Sequence, residues 1–231
     1  MSGPLALVGS GEYLPVMQDL EGLLLAGRPG KYVQIPTAAA LEGPESLAHW
    51  VGLGKAQAKR LGVEAVPVVV RDRDEADDPE LAALVEGAGL VYLSGGNPPY
   101  LASTLRGTRV WEAVVAAWEG GAALAGCSAG AMAMTSWAPY VRDLLREPDP
   151  GLGLLPGWHV IPHFDRFQEW EPQLVERVLD RVPADVRLVG IDEETALVSM
   201  DGAWQVHGRQ AVWVITHDGR TAYRAGEAVP F

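Results

Sequence analysis

Short apolar runs alternate with stretches of helical periodicity along the first two thirds of the chain. Each run is bounded by glycine, proline or charge and is apolar on both alternating faces, which is typical of buried parallel strands. Strands are predicted at residues 5–8, 32–35, 63–70, 90–93 and 122–125. Helices are predicted at residues 45–61, 79–86, 98–104, 110–119 and 129–134. This alternation predicts an α/β fold with a mostly parallel sheet and helices on both faces.

The last third of the chain has a different pattern. Residues 142–155 contain two prolines and two glycines, which favours an exposed loop or flap. A strand is predicted at 157–162 and a helix at 171–182. From residue 186 onward, turn dipeptides recur at short intervals, and this predicts antiparallel hairpins that extend the sheet at its C-terminal end. The chain has no internal repeat or long linker, so we expect one domain over residues 1–231.

Composition and charge narrow the class of protein. Hydrophobic residues make up 48% and charged residues 21% of the chain, as in ordinary globular proteins, which excludes disorder and collagen-like repeats. The 18 basic and 30 acidic residues give a net charge of −12. A surface this acidic repels phosphate backbones and anionic lipids, so we expect neither nucleic acid nor a membrane as partner. The single cysteine, Cys127, excludes an intramolecular disulfide.

Two segments bear on where the protein resides. Residues 1–12 have no basic region and too short an apolar stretch for a signal peptide. Residues 120–141 carry no charge, but they are built from glycine, alanine, serine and threonine, which fits a buried strand, turn and helix better than a membrane span. We therefore expect a cytoplasmic protein.

The strongest chemical signal is the sequence Gly126-Cys127-Ser128-Ala129-Gly130, a G-x-S-x-G that follows a predicted strand and opens a predicted helix. In this context the motif forms a nucleophile elbow, because the sharp turn exposes the central side chain at the carboxyl end of the strand. The motif therefore predicts Ser128 as a nucleophile. Cys127 is expected to point back toward the core and to have a structural role.

A nucleophilic serine needs a general base, and His163 is the best candidate among the five histidines because it stands at the end of a predicted strand. Two carboxylates are candidates for orienting the imidazole. Asp165 lies two residues after His163, and the acidic run 192–194 follows another predicted strand. The sequence leaves this choice open.

A second glycine-rich turn, Ser94-Gly95-Gly96-Asn97-Pro98, follows the strand at 90–93. Its glycines let backbone amides approach a ligand closely, so it is a candidate oxyanion donor beside the amide of Ala129. The turn at residues 9–11 lacks the rest of a dinucleotide fingerprint, so no nucleotide cofactor is predicted.

Four segments in this order, SGGNPPYL, GCSAGAMAM, IPHFD and GIDEETALV, resemble the aspartyl dipeptidase (dipeptidase E) and cyanophycinase family of serine peptidases. The resemblance runs from about residue 5 to the C-terminus. It implies a fold similar to the class I glutamine amidotransferases, which is flavodoxin-like. It also implies a Ser-His-Glu triad, here Ser128, His163 and Glu193, with an oxyanion hole formed by Gly96 and Ala129.

The resemblance implies an enzyme without metal or organic cofactor that hydrolyses the amide bond after an N-terminal aspartate in short peptides. The alternatives are cyanophycinase-like hydrolysis of β-aspartyl peptides and a non-catalytic binding protein. Asp165 is the alternative orienting acid, because the H-x-D around it is similar to the H-x-E of the amidotransferases. Asn97 and Arg166 are the candidate substrate-binding residues. For Arg166, the reason is that a guanidinium suits a substrate carboxylate. We expect a small peptide as substrate and a monomer or small homo-oligomer.

Overall fold

The computed structural model describes residues 2–140, 143, 146–170, 172–183 and 185–231. Its strands are β1 (Leu5–Val8), β2 (Lys31–Ile35), β3 (Glu64–Pro67), β4 (Leu90–Leu93), β5 (Ala123–Cys127), β6 (Trp137–Ala138), β7 (Asp149–Pro150), β8 (Trp158–Pro162), β9 (Arg187–Ile191), β10 (Thr195–Met200), β11 (Ala203–Gly208), β12 (Ala211–Thr216), β13 (Gly219–Arg224) and β14 (Ala228–Val229). Its α-helices are α1 (Gln18–Leu25), α2 (Pro44–Leu61), α3 (Arg73–Ala76), α4 (Pro79–Ala83), α5 (Pro98–Leu105), α6 (Arg109–Glu119), α7 (Ala129–Ala133), α8 (Phe164–Trp170) and α9 (Pro172–Leu179). Two 3₁₀ turns lie at Pro15–Met17 and Thr37–Glu42.

The main sheet has eight strands in the order β14-β11-β10-β1-β5-β4-β2-β3. Strands β1, β5, β4, β2 and β3 run parallel, and β10 adds an antiparallel hairpin strand beside β1. Alternate residues of the parallel strands enter two separate hydrophobic clusters, so Leu124 of β5 packs on one face and Ala125 on the other. The predicted fold class, a mostly parallel sheet with helices and C-terminal antiparallel strands, is confirmed.

Most predicted elements lie within a few residues of the observed ones. The strand predicted at 63–70 is shorter, because β3 starts at Glu64 and ends at Pro67. Helices α1, α3 and α8 were not predicted. The helix predicted at 171–182 corresponds to α9, and residue 171 itself lies outside the described residues.

The C-terminal strands divide between two sheets, which corrects the prediction that all of them extend the main one. Strands β10, β11 and β14 do extend it, whereas β12 and β13 join β9 and β8 in a second sheet of order β13-β12-β9-β8. The division occurs at residues 192–194. There the amide of Asp192 bonds to Ala211 in the second sheet, and Glu194 adopts a left-handed φ of +53° that redirects the chain into β10.

The range 142–155, predicted as a loop or flap, is only partly among the described residues, because positions 142, 144 and 145 lie outside them. Within the range, Arg146 and Glu147 are exposed. Strand β7 pairs with β6, and Leu152 is buried in the larger hydrophobic cluster. The uncharged stretch 120–141 forms β5, α7 and β6, and no described helix is long and apolar enough to cross a membrane.

Glu21 of α1 is a fully buried carboxylate. Its Oε2 accepts a hydrogen bond from the Tyr32 hydroxyl at 2.8 Å. Burial raises the pKa of Glu21 from an ordinary value of 4.5 to about 7. Between these two values the folded protein holds a proton that the unfolded chain has released, so stability falls as the pH rises through this window.

We expect Glu21→Gln to remove this part of the pH dependence, because the amide carries no charge at any pH. Relative to the variant, the wild type should lose about 3 kcal/mol of unfolding free energy between pH 4.5 and pH 7. Urea unfolding of both proteins at several pH values measures the difference. Parallel pH dependences for the two proteins would contradict the assignment.

Candidate active site

Ser128 lies at the turn from β5 into α7, in a backbone conformation that side-chain-bearing residues seldom adopt, with φ +50° and ψ −106°. The flanking glycines permit this turn. A Cβ on Gly126 would lie 2.6 Å from the carbonyl carbon of Gly130, and a Cβ on Gly130 would lie 2.5 Å from the Leu93 carbonyl oxygen. The turn therefore has the geometry of a nucleophile elbow, with Ser128 partly accessible and Cys127 fully buried.

His163 and Glu193 come from the second sheet and meet Ser128 across the gap between the sheets. Strands β8 and β9 are parallel neighbours with Pro162 opposite Ile191, so the residues just beyond these two positions emerge side by side. His163 has a left-handed φ of +51°. Its Nε2 is 3.2 Å from Ser128 Oγ, and its Nδ1 is 2.9 Å from Glu193 Oε1.

The carboxylate of Asp165, the alternative acid, contacts the backbone of Glu193 rather than the imidazole of His163. Its Oδ1 accepts the backbone N–H of Glu193 at 2.9 Å, and its Oδ2 accepts a hydrogen bond from Gln210 Nε2 at 3.2 Å. Gln210 also donates to the Glu193 carbonyl at 3.1 Å. Asp165 and Gln210 thus hold the backbone of Glu193, whose carboxylate is the one that faces His163.

The other two carboxylates of the acidic run point elsewhere. Asp192 is buried and accepts hydrogen bonds from the Ala211 amide and the Trp213 indole, while burial raises the pKa of Asp192. Glu194 forms an ion pair with Arg209 at 2.8 Å. Only Glu193 of the three is placed against the histidine.

The candidate oxyanion donors lie on either side of Ser128. Ala129 is the first residue of α7, where an amide has no carbonyl one turn earlier in the helix. In the loop after β4, the amides of Ser94 and Asn97 bond to backbone carbonyls and that of Gly95 bonds to a carboxylate. The amide of Gly96 has no acceptor within the part of the chain that the structure describes, and Gly96 and Ser128 line the same small cavity.

The two predicted substrate-binding residues are engaged within the protein. Asn97 caps α5 by accepting the Tyr100 amide with its Oδ1 at 3.0 Å. Arg166 Nε lies 3.3 Å from Glu193 Oε2, and its side chain is half exposed. Their role toward a substrate stays a prediction.

Near Ser128, the described residues line three adjoining cavities. The cavity that Ser128 itself lines is small, about 70 Å³, and mostly apolar. It adjoins a cavity of about 520 Å³ through Pro139, His159 and Val178, and this larger cavity is lined by Arg146 and Arg181. The third cavity, also about 520 Å³, adjoins the first through Gly96.

His159 lines both the first and the second cavity, and the sequence did not predict a role for it there. Burial lowers the pKa of His159 to about 4, so its imidazole is neutral near pH 7. Sequence reasoning also missed Gln210, Arg146 and Arg181, because each reaches the site from a distant segment with no local motif. Among the described residues, no group of three or more histidine, cysteine or acidic side chains is arranged to hold a metal ion.

Known proteins are similar to this chain in sequence. Cyanophycinases from Trichormus variabilis (strain ATCC 29413 / PCC 7937) and Synechococcus elongatus are each 31% identical to this chain, over 170 and 169 residues. The alignments cover 68% and 67% of this chain and 55% and 50% of those proteins. The chain therefore spans about half the length of the curated relatives it matches.

Two solved structures share the fold. The crystal structure of a peptidase from an acI-B1 Actinobacterium has a TM-score of 0.91 at 41% identity and covers 100% of this chain and 98% of that chain. A proposed peptidase E protein from Listeria monocytogenes EGD-e has a TM-score of 0.65 at 18% identity and covers 90% of this chain and 100% of that chain, a likeness of fold.

The family model of peptidase family S51 matches residues 5–207, which is most of the chain and includes the elbow at Ser128. The resemblance seen in the four sequence segments is thereby confirmed. This chain belongs to peptidase family S51.

Proposed function

We propose that the protein is a serine peptidase in which Ser128 is the nucleophile, His163 the general base and acid, and Glu193 the orienting carboxylate. The observation that carries this proposal is the pair of contacts from Ser128 to His163 at 3.2 Å and from His163 to Glu193 at 2.9 Å. Nucleophile, base and orienting acid in this order form the arrangement that activates a serine hydroxyl.

The proposed reaction is acyl transfer to Ser128. His163 Nε2 accepts the Ser128 proton as the hydroxyl oxygen attacks the substrate carbonyl carbon, and the oxyanion develops beside the amides of Gly96 and Ala129. His163 then gives the proton to the leaving amine, the C–N bond breaks, and an ester to Ser128 remains. Water deprotonated by His163 hydrolyses that ester and restores the serine.

The substrate that we propose is a short peptide with an N-terminal aspartate. Its support is the cavity that adjoins the Ser128 cavity and is lined by Arg146 and Arg181. A guanidinium binds a carboxylate through charge-assisted hydrogen bonds, so this cavity suits an acidic side chain despite the net charge of −12. Hydrolysis of β-aspartyl peptides is the second candidate, favoured by the 31% identity to cyanophycinases.

The nucleophile is tested with Ser128→Ala, for which we expect loss of nearly all hydrolysis of Asp-p-nitroanilide and of a β-Asp-Arg dipeptide. Ser103→Ala is the matched control, since Ser103 is exposed on α5, and it should retain wild-type rates. Cleavage of the first substrate alone supports the aspartyl peptidase, and cleavage of the second alone supports the β-aspartyl activity. Undiminished hydrolysis by Ser128→Ala would refute the mechanism.

The orienting acid is tested by comparing Glu193→Gln with Asp165→Asn. We expect Glu193→Gln to lower kcat by a factor on the order of 10²–10⁴, because the imidazole loses the carboxylate that orients it and stabilises its charged form. Asp165→Asn keeps an oxygen that can accept the Glu193 amide but replaces the oxygen that accepts from Gln210 with a donor, so it should have a smaller effect. A larger loss in Asp165→Asn than in Glu193→Gln would reverse the assignment.

The specificity cavity is tested with Arg146→Ala and Arg181→Ala. Each should raise KM for Asp-p-nitroanilide about tenfold to a hundredfold, which is the contribution of a charge-assisted hydrogen bond, and should leave KM for Ala-p-nitroanilide unchanged. Arg166→Ala belongs in the same series. A rise in KM for the aspartyl substrate alone would support its predicted role as a ligand, and unchanged kinetics would contradict that role.

A further inference from the structure

The buried carboxylate of Glu12 touches the loops that form both sides of the proposed oxyanion hole. Glu12 lies in the segment that follows β1, and only 8% of its surface is exposed. Its Oε1 accepts the backbone N–H of Gly95 at 2.8 Å, and its Oε2 lies 2.8 Å from Cys127 Sγ. Gly95 precedes Gly96, and Cys127 precedes Ser128, so one carboxylate links the two loops.

We infer that Glu12 is a positioning residue that sets the two halves of the oxyanion hole, Gly96 and Ala129, at a fixed separation. This inference rests on the proposed function. An ionised carboxylate is an acceptor at both oxygens, and here both oxygens face a donor, an amide on one side and a thiol on the other. Burial and the neighbouring Glu12 raise the pKa of the Cys127 thiol, which keeps its proton available to Glu12.

The contact with Gly95 determines which amide is left for a ligand. Along the loop after β4, the amide of Ser94 bonds to Ile35, that of Gly95 to Glu12 and that of Asn97 to Ala38. Of the four backbone amides in this loop, that of Gly96 has no hydrogen-bond acceptor among the described residues. Without Glu12, the Gly95 amide would lose its partner, and the loop would be free to rotate the Gly96 amide away from Ser128.

With Glu12 in place, the loop is packed closely on both sides. A Cβ on Gly95 would lie 2.7 Å from Glu12 Oε1 and 3.6 Å from Ser128 Cβ, so the loop passes between the carboxylate and the nucleophile. On the far side, a Cβ on Gly96 would lie 2.4 Å from the Ala38 carbonyl oxygen. The hydroxyl of Tyr13, the residue after Glu12, forms a hydrogen bond with Ser94 Oγ at 2.6 Å. This bond connects the same two segments.

A negative charge near the oxyanion opposes its formation, so the benefit of Glu12 lies in geometry rather than in charge. The variant Glu12→Gln distinguishes the geometric contribution of Glu12 from the contribution of its charge. Its amide oxygen can still accept the Gly95 N–H, whereas Glu12→Ala removes the acceptor altogether. A residue that acts by position should therefore be rescued by glutamine and not by alanine.

The test measures kcat, KM and the rate of Ser128 labelling by a fluorophosphonate for the wild type, Glu12→Ala and Glu12→Gln. We expect Glu12→Ala to lower kcat and the labelling rate by a factor on the order of 10²–10³, the effect of losing an oxyanion donor, with KM unchanged. Glu12→Gln should remain within about tenfold of the wild type, since the acceptor is retained. Glu21→Gln, another buried carboxylate, is the control and should keep wild-type kinetics.

Gly95→Ala disturbs the contact between Gly95 and Glu12 through a change in Gly95. It is the variant to measure if Glu12→Ala does not fold. It should lower kcat at unchanged KM, because its Cβ displaces the Glu12 carboxylate. Wild-type kinetics in folded Glu12→Ala or Gly95→Ala would overturn the role of Glu12 while leaving the peptidase intact. A wild-type protein that neither cleaves the substrates nor labels would instead refute the proposed function, and this inference with it.

Discussion

The tight turn at Ser128 is the constraint on which the rest of the site depends. A side chain in this left-handed conformation costs on the order of 1–3 kcal/mol, and such strain persists only where the surrounding packing maintains it. Here β5 lies between β1 and β4 in the interior of the main sheet, and the Ser128 amide bonds to the Val8 carbonyl. The turn is held by elements that are themselves buried, and they keep the backbone of Ser128 at the carboxyl end of β5.

The loops after β1, β4 and β5 meet at the carboxyl edge of the parallel strands, where open α/β sheets usually bind ligands. Glu12, Gly96 and Ser128 come from these three loops. The segments that carry them are far apart in the chain, yet their strands are direct neighbours in the sheet. The fold therefore places Glu12 against the residues that precede Gly96 and Ser128, although the three segments are distant in sequence.

His163 and Glu193 follow strands of the second sheet, so the candidate site lies between two sheets rather than on one. The connection between β9 and β10 is only residues 192–194, and hydrogen bonds from Gln210 and to Asp165 hold it. These contacts fix Glu193 relative to His163, and the short connection fixes both relative to the main sheet. The division into two sheets is therefore what allows a serine on one sheet to face a histidine on the other.

The sequence by itself determined the parallel sheet, the elbow at Ser128 and the strand-end position of His163. These features depend on local hydrophobic periodicity and on small residues at a turn, and both are visible in a short window. Only the tertiary structure placed the carboxylate of Glu193, rather than that of Asp165, against His163, and only it sent β12 and β13 into a second sheet. It also brought Glu12, Gln210, Arg146 and Arg181 to the site. Each of these outcomes depends on contacts between segments distant in the chain, whose geometry no local pattern encodes.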